Sequence, residues 1–265
     1  VWNLQTGEEQ FTFKGHSSSV NAVAVTADNQ RVISGSDDKT VKVWNLQTGE
    51  VQFTLEGHSN SVNAVAVTAD NQRVISGSDD RTVKVWNLQT EEELFTLKGH
   101  SSSVNAVAVT ADNQRVISGS WDNTVKVWNL QTREVQFTLE GHSGWVYAVA
   151  VTADNQRVIS GSSDNTVKVW NLQTGKELFT LEGHSGWVTA VAVTADNQRV
   201  ISGSWDNTVK VWNLQTREEI ATFTGDSDFL SCAVALPNQF TDTLTIVAGD
   251  AGGMVHFLKL ENGGE

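Results

Sequence analysis

Short apolar runs alternate with polar turn sequences along nearly the whole chain, and the alternation repeats every 42 residues. In the copy at residues 15–56 the apolar runs are VNAVAVT (20–26), RVISGS (31–36), VKVWNL (41–46) and VQFTLE (51–56). The sequences TADNQ, DDKT and QTGE between them are rich in turn-forming residues. Runs of this length and composition between turns indicate strands rather than helices. Each unit therefore predicts four short strands, which we letter a to d.

The unit recurs as residues 15–56, 57–98, 99–140, 141–182 and 183–224, with a degenerate copy at 225–265. A small sheet with two largely apolar faces cannot fold alone, so each unit must pack against its neighbours. We therefore expect one all-β domain over residues 1–265, built by stacking similar sheets.

Four residues of the unit can form a hydrogen-bonded chain. His16 lies in the d–a connection, and Asp38 lies in the b–c turn at the same end of an up-and-down sheet. Ser34 lies near the end of strand b, and Trp44 lies within strand c. The order indole, hydroxyl, imidazole, carboxylate gives every member a suitable donor or acceptor. A fully satisfied buried network of this kind fixes one geometry.

Gly-His at the start of the unit, Trp in its third strand and the 42-residue interval resemble the WD40 repeat family. The resemblance covers residues 15–224 in five good copies and the rest of the chain weakly. It implies a β-propeller of four-stranded antiparallel blades. It also implies one structural tetrad for each good copy: His16, Ser34, Asp38, Trp44; His58, Ser76, Asp80, Trp86; His100, Ser118, Asp122, Trp128; His142, Ser160, Asp164, Trp170; His184, Ser202, Asp206, Trp212. One departure is that Asn follows every tetrad Trp, where the family often has Asp.

The two ends of the chain suggest a closure scheme. Residues 1–4 match the end of strand c, and residues 9–14 match strand d. The degenerate copy has candidate strands at 229–235, 244–249 and 254–260, but no tetrad and no strand d. Because WD40 rings commonly close by sharing a blade between the two ends, we expect 9–14 to pair beside 254–260 and close six blades. A seven-bladed ring, or an incomplete ring that self-associates, is the alternative. The start at Val1 suggests a fragment of a longer array.

Differences between the copies fall on the face that carries the d–a and b–c connections. Copies one and two have Ser, Asn and Asp at three variable positions there, whereas later copies have aromatic residues. The resemblance implies that this face receives partner peptides, and exposed aromatic clusters often mark interfaces. The predicted partner-binding residues are Trp121, Trp145, Tyr147, Trp187, Trp205 and Phe229, with Asp37 and Asp79 as an acidic flank. Such an aromatic groove with an acidic flank would suit an apolar or aromatic peptide that carries Lys or Arg.

Composition limits the possible partners. The net charge of −13 and pI of about 4.8 disfavour nucleic acid and favour a basic partner.

The single Cys allows no intrachain disulfide, and no run of about 18 apolar residues predicts a membrane span. With no signal peptide in the given sequence, we expect a cytoplasmic location. The six His have no metal-ligand spacing, so no metal or cofactor is expected.

These patterns bear on three classes of function. Ser, His and Asp in each tetrad could suggest a hydrolase, but five copies tied to Trp and no nucleophile elbow favour a structural role. The preferred function is a non-catalytic protein- or peptide-interaction scaffold, by analogy with bacterial WD40 modules that act as recognition or sensor parts of larger signalling proteins. A carbohydrate-binding propeller is the alternative. It predicts similar pockets at several blades, and the uneven aromatic residues argue against it.

Overall fold

The structure is a computed structural model that describes residues 1–3, 6–235 and 244–260. Over these residues the regular structure consists of strands, without a helix. The strands form six antiparallel sheets, each of which runs in chain order from one edge strand to the other. This arrangement confirms the all-β fold of repeated four-stranded blades, and we number the sheets blades 1 to 6.

The four-stranded blades 1 to 5 are β1 (Val20–Val25), β2 (Arg31–Ser36), β3 (Val41–Asn45), β4 (Val51–Leu55); β5 (Val62–Val67), β6 (Arg73–Ser78), β7 (Thr82–Asn87), β8 (Glu93–Lys98); β9 (Val104–Val109), β10 (Arg115–Ser120), β11 (Val125–Asn129), β12 (Glu134–Leu139); β13 (Val146–Val151), β14 (Arg157–Ser162), β15 (Val167–Asn171), β16 (Glu177–Leu181); β17 (Val188–Val193), β18 (Arg199–Ser204), β19 (Thr208–Asn213), β20 (Glu219–Thr224). Blade 6 contains β21 (Phe229–Ala235), β22 (Leu244–Asp250) and β23 (Val255–Leu260).

Each junction between successive blades repeats the same apolar packing. Between blades 1 and 2, Ile33 of strand b packs in one cluster with Val62 and Trp86 of the next blade. A Cβ placed on Gly35 would lie 2.7 Å from Val62 Cγ1, and Gly77, Gly119 and Gly161 show the same distance to the next valine. The glycine in each RVISGS strand is therefore needed because the neighbouring strand a lies directly against it.

The invariant TADNQ turn, between strands a and b, joins neighbouring blades at the end opposite to the d–a and b–c connections. Asn71 adopts φ 57° in this turn, and its side-chain Oδ1 accepts a hydrogen bond from Ala27 N of the preceding blade at 2.8 Å. The same bond joins Ala69 to Asn113, Ala111 to Asn155 and Ala153 to Asn197. Asparagine tolerates the left-handed backbone and supplies the acceptor, which explains why this turn does not vary.

The amino-terminal segment does not take the place expected for a closing strand. Residues 10–14 lie outside the strands, and Phe13 packs on Trp44 of blade 1 with a ring separation of 5.1 Å. Trp2 pairs with Glu9, and Asn3 N donates to Glu8 O, as Asn45 N does to Glu50 O one repeat later. Residues 1–3 and 8–11 thus pair with each other as strands c and d do, and the sheet of blade 6 has three strands among the described residues.

Candidate functional site

The five good copies each contain the hydrogen-bonded tetrad. In blade 3, Trp128 Nε1 donates to Ser118 Oγ at 2.8 Å, and Ser118 Oγ lies 2.7 Å from His100 Nε2. His100 Nδ1 lies 2.7 Å from Asp122 Oδ2. All three contacts recur within 2.7–2.8 Å in the tetrads of His16, His58, His142 and His184. The chain thus runs from the buried indole to the carboxylate in the b–c turn.

Every member of the tetrad has a suitable partner in the tautomer that carries its proton on Nδ1. In that tautomer Nδ1–H donates to the aspartate, and Nε2 accepts from the serine hydroxyl, which itself accepts from the indole. Burial by itself would raise the pKa of Asp122, but hydrogen bonds from His100 and Thr124 outweigh it and hold that pKa well below its usual range. Burial lowers the pKa of His184 below its usual value, and the bond to Asp206 offsets only part of this effect.

Blade 6 replaces the tetrad with a single pair that the sequence comparison did not reveal. His256 Nε2 lies 2.8 Å from Asp250 Oδ2, and the imidazole packs against the rings of Phe223 and Phe229. This hydrogen bond lowers the pKa of Asp250. The two residues occupy positions that hold Ser36 and Lys42 in blade 1, so no feature of the repeat pointed to them.

Five side chains on the face of the d–a and b–c connections form one continuous cluster, which we call the aromatic surface: Trp121, Trp145, Tyr147, Trp187 and Trp205. Two stacks compose it. Trp121 stacks on Trp145 at 4.8 Å, and Trp187 stacks between Tyr147 at 5.7 Å and Trp205 at 4.4 Å. Trp145 and Trp187 join the stacks edge to face at 6.1 Å. The cluster therefore spans blades 3, 4 and 5 as one structure.

The rings of the aromatic surface differ in exposure. Trp145 and Trp205 are each 41% exposed, whereas Trp121, Tyr147 and Trp187 are half-buried by their neighbours. Burial raises the pKa of Tyr147. The indole Nε1 of Trp121 is buried without a hydrogen-bond partner among the described residues. A ligand on this face would thus meet mainly the two more exposed tryptophans, Trp145 and Trp205.

Phe229 does not belong to this surface, which corrects the prediction. It is 0% exposed and packs in the apolar cluster between blades 5 and 6. Phe229 pairs with Asp250 in the register in which Val188 pairs with Ser204. The d–a connection before blade 6 is therefore one residue shorter than the others, and Phe229 replaces a core valine rather than a surface tryptophan.

The predicted acidic flank carries mixed charge. Asp37 Oδ1 accepts from Asn21 Nδ2 at 2.7 Å, and Asp79 Oδ1 accepts from Asn63 Nδ2 at 2.7 Å. Lys39 and Arg81 follow two residues later in the same turns, where blades 3 to 5 have Asn. Blades 1 and 2 therefore present both signs of charge beside the aromatic surface.

Two glycines support the aromatic surface and were missed in the sequence comparison. A Cβ on Gly144 would lie 2.5 Å from Ser163 Oγ, and a Cβ on Gly186 would lie 2.7 Å from Asp206 N. Each glycine precedes a surface tryptophan, Trp145 or Trp187, and lets the d–a loop approach the b–c turn closely. The SGW sequence that distinguishes copies four and five was the available signal.

No group of three or more His, Cys, Asp or Glu that could hold a metal ion occurs in the part of the chain that the structure describes. Within that part, no helix has the length and apolarity needed to cross a membrane.

Repeated four-stranded blades, each fixed by a Trp–Ser–His–Asp tetrad, define the WD-repeat β-propeller class. A family model described as "WD domain, G-beta repeat" matches residues 7–45, 49–87, 91–129, 133–171 and 175–213. The chain belongs to the WD40 repeat family. It is also 57% identical over 42 residues to the vegetative incompatibility protein HET-E-1 of Podospora anserina. That match covers 16% of this chain and 3% of the relative.

Proposed function

We propose that this chain is a non-catalytic recognition module that binds a protein or peptide through the aromatic surface. WD40 repeats generally mediate protein–protein interaction, which sets the class of function. The observation that supports this particular surface is the contrast between copies. Blades 3 to 5 share tetrads and turns with blades 1 and 2, yet they alone carry the stacked tryptophans.

The energetic cost of exposed indoles supports an interface. Trp145 and Trp205 are each 41% exposed, although copies one and two have Ser or Asp at the equivalent positions. Contiguous exposed aromatic rings usually mark contact sites, and Trp and Tyr dominate the energetics of interfaces. The rings are held by mutual stacking, so little side-chain freedom is lost when a partner binds.

A catalytic role for the tetrads has little support. Ser118 is 0% exposed, and its Oγ already accepts from the Trp128 indole. A substrate carbonyl could not approach this hydroxyl, and the same arrangement recurs in every good copy. A carbohydrate-binding role is also less well supported, because a sugar needs a free ring face and most faces of the aromatic surface lie against one another.

The same proposal includes the charge of the partner peptide and the kind of protein in which the module occurs. The net charge of −13 favours a cationic peptide over an anionic one. We propose that the module serves as the recognition or sensor part of a larger signalling protein. The relative HET-E-1, which has a 42-residue segment like this one, is far longer than the match.

The test is a selection of peptides from a random displayed library on the whole chain, followed by affinity measurements with a Trp145→Ser/Trp205→Ser variant. Binding should weaken by at least about 30-fold if these rings are hot spots. A matched control is Leu178→Ser/Ile220→Ser, because these side chains are 42% and 44% exposed on the outer strands. Equal affinity of the selected peptides for the tryptophan variant and the control would refute the surface.

A further inference from the structure

Trp205 ends the larger stack of the aromatic surface with one indole face uncovered. One face lies 4.4 Å from Trp187 with an interplanar angle of 21°, and no other aromatic ring among the described residues packs on this indole. The exposed fraction of Trp205 is 41%, so a large part of the ring is open to solvent.

The equivalent residue in blade 3 shows what covers such a face. Trp121 stands in the same turn sequence, SWDN, two blades earlier. There the next blade places Trp145 on the indole at 4.8 Å and the edge of Tyr147 at 6.4 Å. Trp121 is consequently more buried than Trp205, although the two turns are alike.

Blade 6 supplies a carboxylate and an aliphatic side chain in place of those two rings. Because the d–a connection is one residue shorter, Asp228 takes the position of Trp145, as its carbonyl shows by accepting from Ala251 N at 2.8 Å. Trp145 O accepts from Ser163 N in the same way at 2.9 Å. Leu230 takes the position of Tyr147 and is 49% exposed.

This loop is held firmly beside the blade that carries Trp205. Thr189 Oγ1 donates to Phe229 O at 2.6 Å, and a Cβ on Gly203 would lie 3.2 Å from Phe229 Cβ. Asp228 is half-buried, and no cation of the described residues pairs with its carboxylate. The turn Ala251-Gly252-Gly253, whose Ala251 N donates to Asp228 O, has only small side chains.

We propose that Trp205, Asp228 and Leu230 bind an arginine side chain of the partner peptide, which rests on the proposed function of the aromatic surface. A guanidinium is planar, so it can stack on the indole while its N–H groups reach the Asp228 carboxylate. The methylene stem would lie on Leu230. The chain already forms this type of contact elsewhere, since the guanidinium carbons of Arg133 and Arg217 lie 4.7 and 4.8 Å from the ring centres of Phe95 and Phe179.

The test is a titration of the whole ¹⁵N-labelled chain with acetyl-Gly-Arg-Gly-amide and with the matching lysine and norleucine peptides. Indole signals are assigned with single Trp→Phe variants. The arginine peptide should shift the Trp205 and Trp187 indoles, with an affinity at least about threefold above that of the lysine peptide. Equal shifts from the norleucine peptide, or shifts confined to other indoles, would overturn the proposal.

Two variants separate this site from the wider surface. Asp228→Asn should weaken the arginine peptide by about threefold or more while leaving every ring in place. Glu218→Gln, an exposed carboxylate in the c–d connection of blade 5, should have no effect. If library-selected peptides lose affinity with Trp145→Ser/Trp205→Ser but lack arginine and ignore Asp228→Asn, the arginine site fails and the aromatic surface stands. If they ignore the tryptophan variant as well, both proposals fail.

Discussion

Ser118→Ala is the most informative single change in the scaffold. The Ser118 side chain is 0% exposed, and its Oγ joins Trp128 Nε1 at 2.8 Å to His100 Nε2 at 2.7 Å. The substitution leaves a buried indole N–H and a buried imidazole nitrogen without a partner. Each such group costs about 1–3 kcal/mol, so the loss of unfolding free energy should be about 2–6 kcal/mol.

The assay is urea unfolding followed by tryptophan fluorescence, with the m value checked in each variant. Ser101→Ala is the matched control, since Ser101 is exposed and contributes only its backbone N–H to Asp122 at 2.9 Å. That control should change stability by no more than about 0.5 kcal/mol.

A double-mutant cycle tests the chain of bonds itself. With Trp128→Phe in the background no indole N–H remains to be stranded, so Ser118→Ala should cost about 1–3 kcal/mol less than it does in the parent. If Ser118→Ala behaves like Ser101→Ala, or if the two substitutions simply add, the tetrad does not stabilise the blade as described.

Three further predictions concern pH, packing and thiol reactivity. The pKa values of the tetrad aspartates lie below the 3.8 of an unperturbed Asp, so the unfolded chain takes up protons first as pH falls. The melting temperature should therefore fall steadily below pH 3.8, and Asp122→Asn should make this dependence on pH less steep. An unchanged slope in the Asp122→Asn variant would contradict this. Gly119→Ala places a methyl group 2.7 Å from Val146 Cγ1 and should cost about 1–3 kcal/mol in urea unfolding, whereas the open, left-handed Gly7→Ala should cost about 1 kcal/mol from backbone strain alone. Burial raises the pKa of the half-buried Cys232 thiol to about 12, so Ellman's reagent should react much more slowly with the native chain than with the unfolded chain, and equal rates would contradict this.

Much of the fold could be predicted because the apolar runs, the turn residues and the tetrad positions of the repeat all indicate the same structure. The β-branched runs and the turn residues set the strands, and the His, Ser, Asp and Trp positions set their common end. Five near-identical copies then made the variable positions visible. The aromatic surface followed from that comparison, since neighbouring blades must gather residues that share one face.

The errors arose where the repeat is imperfect. A constant spacing of 42 aligns Phe229 with Trp187, whereas the strand register aligns it with Val188. A direct match of FLSCAVA with VTAVAVT shows the shorter connection and gives Asp228 the position that Trp145 has in blade 4. At the amino terminus, Trp2 and Glu9 repeat the pairing of Trp44 with Val51, a local contact that the closing-strand scheme left out.

The ten tryptophans provide the most direct measurement, because five lie in tetrads, four lie in the aromatic surface and Trp2 lies elsewhere. An indole ¹H–¹⁵N spectrum recorded while a library-selected peptide is added to the whole chain reports on all three groups at once. The account predicts shifts for the indoles of Trp121, Trp145, Trp187 and Trp205, with the tetrad indoles and Trp2 unchanged. A bound peptide that shifts Trp2 or leaves the four surface indoles unmoved would contradict it.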